Sequence, residues 1–123
     1  VLGVIVLAHG SRDPQWRGPV EAVAAEVRRL APHALADCAY LELTAPDLAD
    51  CADRLVALGA TELRVLPLFF GMGRHAREQL PRRVDALRHR LPGVSVVCLP
   101  PAGEHPALIH LLATIALEGT APT

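Results

Sequence analysis

The sequence predicts an α/β fold: a four-stranded parallel sheet, doubly wound, with helices on both faces. Three observations carry that prediction. Apolar runs and helix-period segments alternate four times along the chain, joined by short connections rich in Gly and Pro. The run Val1 to Ala8 is almost bare of polar residues and rich in Val and Ile, as expected of a strand buried on both faces. Leu63 to Phe70, LRVLPLFF, repeats that signature and is expected near the centre of the sheet. A chain of 123 residues, 51% hydrophobic and with net charge −1, fits one globular domain over residues 1–123 that can bury a core.

The first strand ends at His9, and the turn-forming stretch GSRDPQWRGP follows. Pro19 suits the first turn of a helix whose apolar positions Val20, Val23, Ala24, Val27 and Leu30 share one face, and Pro32 ends it. A second strand is expected from Leu35 to Leu43, closed by Thr44 and Pro46. Pro46 then opens a second helix, with Leu48, Cys51, Ala52, Leu55, Val56 and Leu58 inward and Gly59 as its left-handed stop. After the third strand, Gly71 and Gly73 break the chain. In the helical pattern HAREQLPRRVDALRHRL, Pro81 is expected to kink the helix or divide it. Val94 to Leu99 is the fourth strand. Pro106 to about Leu117 is a last amphipathic helix burying Leu108, Ile109, Leu112 and Ile115, with a frayed tail from about residue 119.

The near-neutral charge argues against a nucleic-acid binder driven by overall charge, although it would not reveal a local basic patch. The opening apolar run is too short to span a bilayer and has no basic leader, so the protein is expected in the cytoplasm without membrane contact. Cys38, Cys51 and Cys98 show no C-x-x-C spacing and are expected to be reduced, apolar packing residues.

In a parallel sheet every strand-to-helix connection lies at one edge, where ligands bind. His9, Glu42 and His75 fall at three such connections, at equal intervals of one βα unit. Two neutral imidazoles and a carboxylate suit a borderline divalent ion such as Fe²⁺, Co²⁺, Ni²⁺ or Zn²⁺, and not Mg²⁺ or Ca²⁺. So few ligands leave coordination positions open, which suits metal handling or catalysis better than a structural staple. Each residue also has a separate explanation: strand-end histidines often satisfy loop carbonyls, and Glu42 could face solvent from an edge strand. Position alone leaves both readings open.

The runs LAHGSRDP, YLELTAPDL and VLPLFFGMGRHAREQLP, in this order and at these spacings, resemble the small class II chelatases of the sirohydrochlorin cobaltochelatase and ferrochelatase group, in their short, single-lobe CbiX-like form. PPAGEHPAL is similar to that family's exit from the fourth strand. The resemblance covers nearly the whole chain. It implies a chelatase-like single lobe and ATP-independent insertion of a divalent metal (Co²⁺, Fe²⁺ or Ni²⁺, as substrate and with no prosthetic group) into a sirohydrochlorin-type tetrapyrrole. His9 and His75 match the family's metal-binding histidines and Glu42 its acidic partner. Imidazoles can both ligate the ion and accept ring protons near neutral pH.

Such a substrate carries many carboxylates. Arg12, Arg74 and Arg77 are expected to meet them, helped by main-chain N–H groups of Gly10, Ser11, Gly71 and Gly73. Arg82, Arg83, Arg88 and Arg90 are placed on a more distant exposed face. Trp16 is expected to pack over the start of the first helix, the alternative being that it lines the macrocycle pocket, while Phe70 or Met72 could support a flat ligand. Gln79 stands where the family often has an acidic residue, which leaves the role of that position open.

The two-lobed chelatases are about twice this length, so the resemblance implies a homodimer with a shared cleft. A histidine phosphatase is disfavoured because Ala8, not Arg, precedes His9. The remaining rival is a non-catalytic metal or tetrapyrrole carrier, which would use the same ligands.

Overall fold

The structure, a computed structural model, describes residues 1–119. Its elements are β1 (Leu2–Ala8), α1 (Gly18–Leu30), β2 (Leu35–Tyr40), α2 (Leu48–Ala57), β3 (Glu62–Pro67), α3 (Arg74–Arg90), β4 (Ser95–Cys98) and α4 (Pro106–Glu118). Short 3-10 turns precede α1 at Pro14–Arg17 and α4 at Ala102–Glu104. All four strands are parallel, in the order β2-β1-β3-β4.

That order explains the layers. The chain steps outward from β1 to β2, then crosses back over β1 to β3, and right-handed crossovers therefore place α1 on one face and α2 and α3 on the other. Along β1 the side chains alternate: Ile5 and Leu7 join Leu55, Leu63, Val65 and Val84 beneath α2 and α3. Val6 and Ala8 join Val20, Ala24 and Cys38 beneath α1. Ile5, Val6, Leu7, Leu63 and Val65 are completely buried, and each contributes about 1.5–3 kcal/mol of hydrophobic stabilisation. The step reverses between β1 and β3, so their carboxyl ends form the topological switch point where a crevice is expected.

Several boundaries differ from the sequence reading. β2 stops at Tyr40 and residues 41–44 form a tight bend in which Thr44 N–H donates to the Glu42 carbonyl at 2.8 Å. β3 stops at Pro67, which has no N–H for the ladder. Asp47, not Pro46, begins α2, its carboxylate accepting from the Asp50 N–H at 2.8 Å. Leu58, expected inward, is exposed.

α3 neither breaks nor divides at Pro81. The proline faces solvent while Leu80, Val84 and Leu87 bury the opposite side, and that packing offsets the cost of about 3 kcal/mol for an interior proline. α4 forms where expected, but none of its residues is buried. Gly119 ends it in the left-handed conformation, and the rest of the expected frayed tail lies outside the described residues. The three cysteines are free, as expected. Among the described residues no helix is long and apolar enough to cross a membrane.

Candidate functional site

The site begins where β1 and β2 run out side by side. Leu41 N–H donates to the Ala8 carbonyl and Glu42 N–H to the His9 carbonyl, each at 3.0 Å. Gly10 makes this approach possible. Its φ is +104°, and a Cβ there would lie 1.8 Å from the Glu42 carbonyl oxygen. One step further, Ser11 N–H donates to Thr44 Oγ1 at 3.2 Å while the Thr44 hydroxyl donates to the Ser11 carbonyl at 2.6 Å. The loops carrying His9 and Glu42 are thus clamped as one unit.

The third strand supplies the other wall. Buried Phe69, just past β3, meets the His9 ring with centroids 4.3 Å apart and planes tilted by 33°. The β2 exit thus holds the His9 backbone, and Phe69 past β3 packs against its ring. His75 sits in the first turn of α3, which Gly73 starts in an extended conformation.

His9, Glu42 and His75 line one cavity of about 280 Å³ together with Gly73, Gln79 and Arg83. The three residues expected from the sequence thus reach the same hollow, and all three are open to solvent. They share its walls without closing on a point: among the described residues no three His, Cys, Asp or Glu side chains form a ready-made metal cluster. Size does not single out this hollow, since one of about 350 Å³ lies between α3 and the β4 exit and one of about 300 Å³ between α2 and α3. Its donor chemistry does.

The expected carboxylate-binding residues sit around the cavity rather than in its wall. Arg12 and Arg77 are exposed, and Arg74 pairs with Glu78 at 3.2 Å on an exposed flank. The Ser11 N–H, expected to meet an anion, is committed to Thr44. Gly10 shapes the bend against Glu42, and only Gly73 of the expected glycines lines the hollow. Phe70 projects beyond the edge at 71% exposure, whereas Met72 packs against the core and lines the separate hollow near β4.

Arg83 corrects the sequence reading most sharply. Placed there on a distant face, it is half-buried, donates from Nη1 to the Leu41 carbonyl at 3.2 Å and from Nη2 to Gln79 Oε1 at 3.3 Å, and lines the cavity. His75, Gln79 and Arg83 are spaced i, i+4, i+8 on α3, a stripe the sequence itself displays. Arg88 and Arg90 instead tie α3 to the Val96 carbonyl and to Asp53.

Trp16 meets Tyr40 at the end of β2 with ring centroids 6.1 Å apart and stays 37% exposed, so its packing partner is β2 rather than the start of α1, and it does not line the cavity. Burial at the end of β2 pushes the Tyr40 hydroxyl up to about 12, so it stays neutral.

An open parallel sheet whose carboxyl edge gathers two imidazoles and a carboxylate at the switch point defines an α/β ligand-binding lobe with a donor set for borderline metals. The chain belongs to the CbiX family, whose model matches residues 3–118. It is 25% identical over 125 residues to the sirohydrochlorin cobaltochelatase of Sulfolobus acidocaldarius, covering 98% of each chain. It is 33% identical over 82 residues to that of Saccharolobus solfataricus, covering 67% of this chain and 62% of the other. Among solved structures, a protein described as a cobalamin (vitamin B12) biosynthesis CbiX protein, from Marinobacter aquaeolei VT8, superposes with TM-score 0.82 at 31% identity over 96% of both chains. The sirohydrochlorin chelatase SirB of Bacillus subtilis, in complex with cobalt, shares the fold with TM-score 0.79 at 19% identity. There the match takes 96% of this chain but only 50% of SirB.

Proposed function

We propose that this protein is a chelatase that inserts a divalent metal, Co²⁺ or Fe²⁺ with Ni²⁺ as a further candidate, into a sirohydrochlorin-type tetrapyrrole without ATP. The observation that carries the reading is the single cavity uniting His9, Glu42 and His75 in a chain whose CbiX match runs through all three. Insertion exchanges one M²⁺ for the two protons of the ring N–H groups. His9 and His75 hold the incoming ion through ring-nitrogen lone pairs, each lone pair is freed as the ion passes to the macrocycle and then takes up one of the two ring protons, and the Glu42 carboxylate offsets the charge that gathers. The ring of exposed guanidinium groups at Arg12, Arg74 and Arg77 receives the substrate's carboxylates, with the Gly73 backbone beside them. Three free thiols are consistent with a reducing, cytoplasmic setting.

A hollow of about 280 Å³ is smaller than most pockets for drug-sized ligands, roughly 300–1,000 Å³, and a tetrapyrrole is larger still. We therefore read the chain as one half of a two-fold homodimer with a shared cleft. The match to half of the SirB chain supports this reading.

The test is turnover. Protein is mixed anaerobically with sirohydrochlorin and Co²⁺, Fe²⁺ and Ni²⁺, singly and in competition, and the absorption change is followed against the spontaneous reaction. Many turnovers are expected, with a loss on the order of 10²-fold in His9→Ala and in His75→Ala. A spectral change that stops at one equivalent marks a carrier. Full activity in both variants overturns the residue roles.

A further inference from the structure

We propose that Arg83 sets how tightly the hollow holds its ion: it straps the Glu42 bend to α3 and leaves an uncancelled positive charge in the wall, so that a divalent ion is bound loosely and passed on. The inference deepens the chelatase reading and rests on it for the identity of the cargo.

The first observation is where Arg83 reaches. It lies eight residues along α3 from His75, about 12 Å at 1.5 Å per residue, yet its side chain lines the same hollow. From there Nη1 donates to the carbonyl of Leu41, the residue before Glu42, at 3.2 Å. Leu41 is thereby held from two sides, since its own N–H donates to the Ala8 carbonyl at 3.0 Å. His9 and Glu42 already form one clamped unit through Gly10 and the Ser11–Thr44 pair, whereas His75 belongs to α3. Among the described residues, the Arg83 bond to Leu41 is the only side-chain hydrogen bond joining α3 to that unit. The polar control of the hollow's width therefore passes through Arg83.

The second observation is charge. A guanidinium stays protonated at any pH at which a protein folds. Arg29, Arg54, Arg64, Arg74, Arg88 and Arg90 each have a carboxylate within ion-pair distance. Half-buried Arg83 has none among the described residues, and its second bond runs from Nη2 to the neutral Gln79 Oε1 at 3.3 Å. The wall of the hollow thus carries one carboxylate, Glu42, and one guanidinium, whose charges cancel when both imidazoles are neutral. Without Arg83 the same wall would be an anionic donor set, two imidazoles and a carboxylate, of the kind that retains borderline metals.

Loose holding is what insertion needs. An ion that must leave His9 and His75 for the ring nitrogens is slowed by every contact that favours it more in the empty protein than during transfer. The donors agree with this, since among the described residues they stand around the hollow without closing on a point. A unit charge roughly 10 Å from a divalent ion, at an effective dielectric of about 40, changes binding on the order of tenfold. The bond to Leu41 also holds the guanidinium on the wall. Released from it, Arg83 could swing onto Glu42, and a direct ion pair would take that carboxylate from the ion.

Calorimetric titration of the full chain with Co²⁺, without tetrapyrrole, reads the binding directly. Arg83→Met and Arg83→Gln are each expected to bind Co²⁺ on the order of tenfold more tightly than the parent, with the gain shrinking at about 0.5 M salt. Arg83→Lys keeps the charge and is expected to bind as the parent does. Two uncharged replacements are used in case one fails to fold, which a thermal melt reports. In turnover with sirohydrochlorin, the uncharged variants are expected to lose on the order of tenfold in kcat with KM for the tetrapyrrole unchanged. Equal Co²⁺ affinity in the parent and the uncharged variants overturns the proposal, as does equal tightening in Arg83→Lys, which would trace the effect to the lost bond alone. A raised KM for the tetrapyrrole with unchanged Co²⁺ affinity also overturns it and makes Arg83 a receiver of substrate carboxylates. Tighter Co²⁺ binding by the variants of a parent that shows no turnover sinks the chelatase reading and leaves the role of Arg83 standing.

Discussion

A methyl group at position 10 would meet the Glu42 carbonyl oxygen at 1.8 Å, in a backbone conformation with φ of +104° that side chains rarely adopt. Gly10→Ala is therefore expected to destabilise the protein by roughly 2–4 kcal/mol, and relaxation must push the Glu42 bend away from His9. Urea unfolding measures the first effect. The second appears as an insertion rate that stays depressed at temperatures where the variant is fully folded; a folded variant with normal activity would show that the clamp does not position Glu42. That His9, Glu42 and His75 reach one hollow was legible at this scale, because strand exits in a parallel sheet share one edge, whereas position alone left their role open. The work of Gly10 was not legible. As a sequence feature it read as a main-chain donor for an anion, and only the contact between two loops distant in sequence shows it to be a spacer. Arg83 lay between these cases, since its i+4 spacing from Gln79 and i+8 from His75 was visible but its half-buried bond to the Leu41 carbonyl was not.

At the scale of elements, α3 shows a local rule overridden by packing. Pro81 lacks the N–H that would bond the Arg77 carbonyl, yet Leu80, Val84 and Leu87 hold both halves of the helix against the sheet. Pro81→Ala restores that bond and is expected to stabilise the protein by about 1–3 kcal/mol, the gain reduced by the freer unfolded chain. A thermal melt measures it, and a variant less stable than the parent would mean that α3 needs a bend at this point. Every strand and helix was legible in the sequence, because periodicity reports burial. The ends of β2 and β3 were not, since Leu41–Leu43 and Leu68–Phe70 stay apolar after the ladder stops. α4 was misread for a related reason: its spacing announces an apolar face, yet none of its residues is buried.

For the molecule as a whole, alkaline stability offers a clean reading because every basic side chain is Arg, and no Lys titrates near pH 10. Between pH 9 and 12 the side chains left to titrate are one Tyr and three Cys. Burial raises all four, pushing the Cys51 thiol from 9.0 and the Tyr40 hydroxyl from 10.0 up to about 12, and holding Cys38 and Cys98 above the usual thiol range. The unfolded chain releases these protons near their ordinary values while the folded chain keeps them, so above pH 9 the unfolded state binds fewer protons and stability falls as pH rises. The contribution is complete below about pH 9, and each group retained only by the folded state costs about 1.4 kcal/mol per pH unit above it. Urea unfolding under reducing conditions at pH 7.5, 9 and 10.5 is expected to show little change over the first interval and a clear loss over the second. Cys51→Ala should flatten that loss, since the thiol at this position is almost wholly enclosed beneath α2. A stability unchanged from pH 9 to 10.5 would mean that these groups reach solvent in the folded protein. The α2–α3 layer around Cys51 and the α1 layer around Cys38 and Tyr40, which together hold β1 and its terminal His9, would then be looser than their packing indicates.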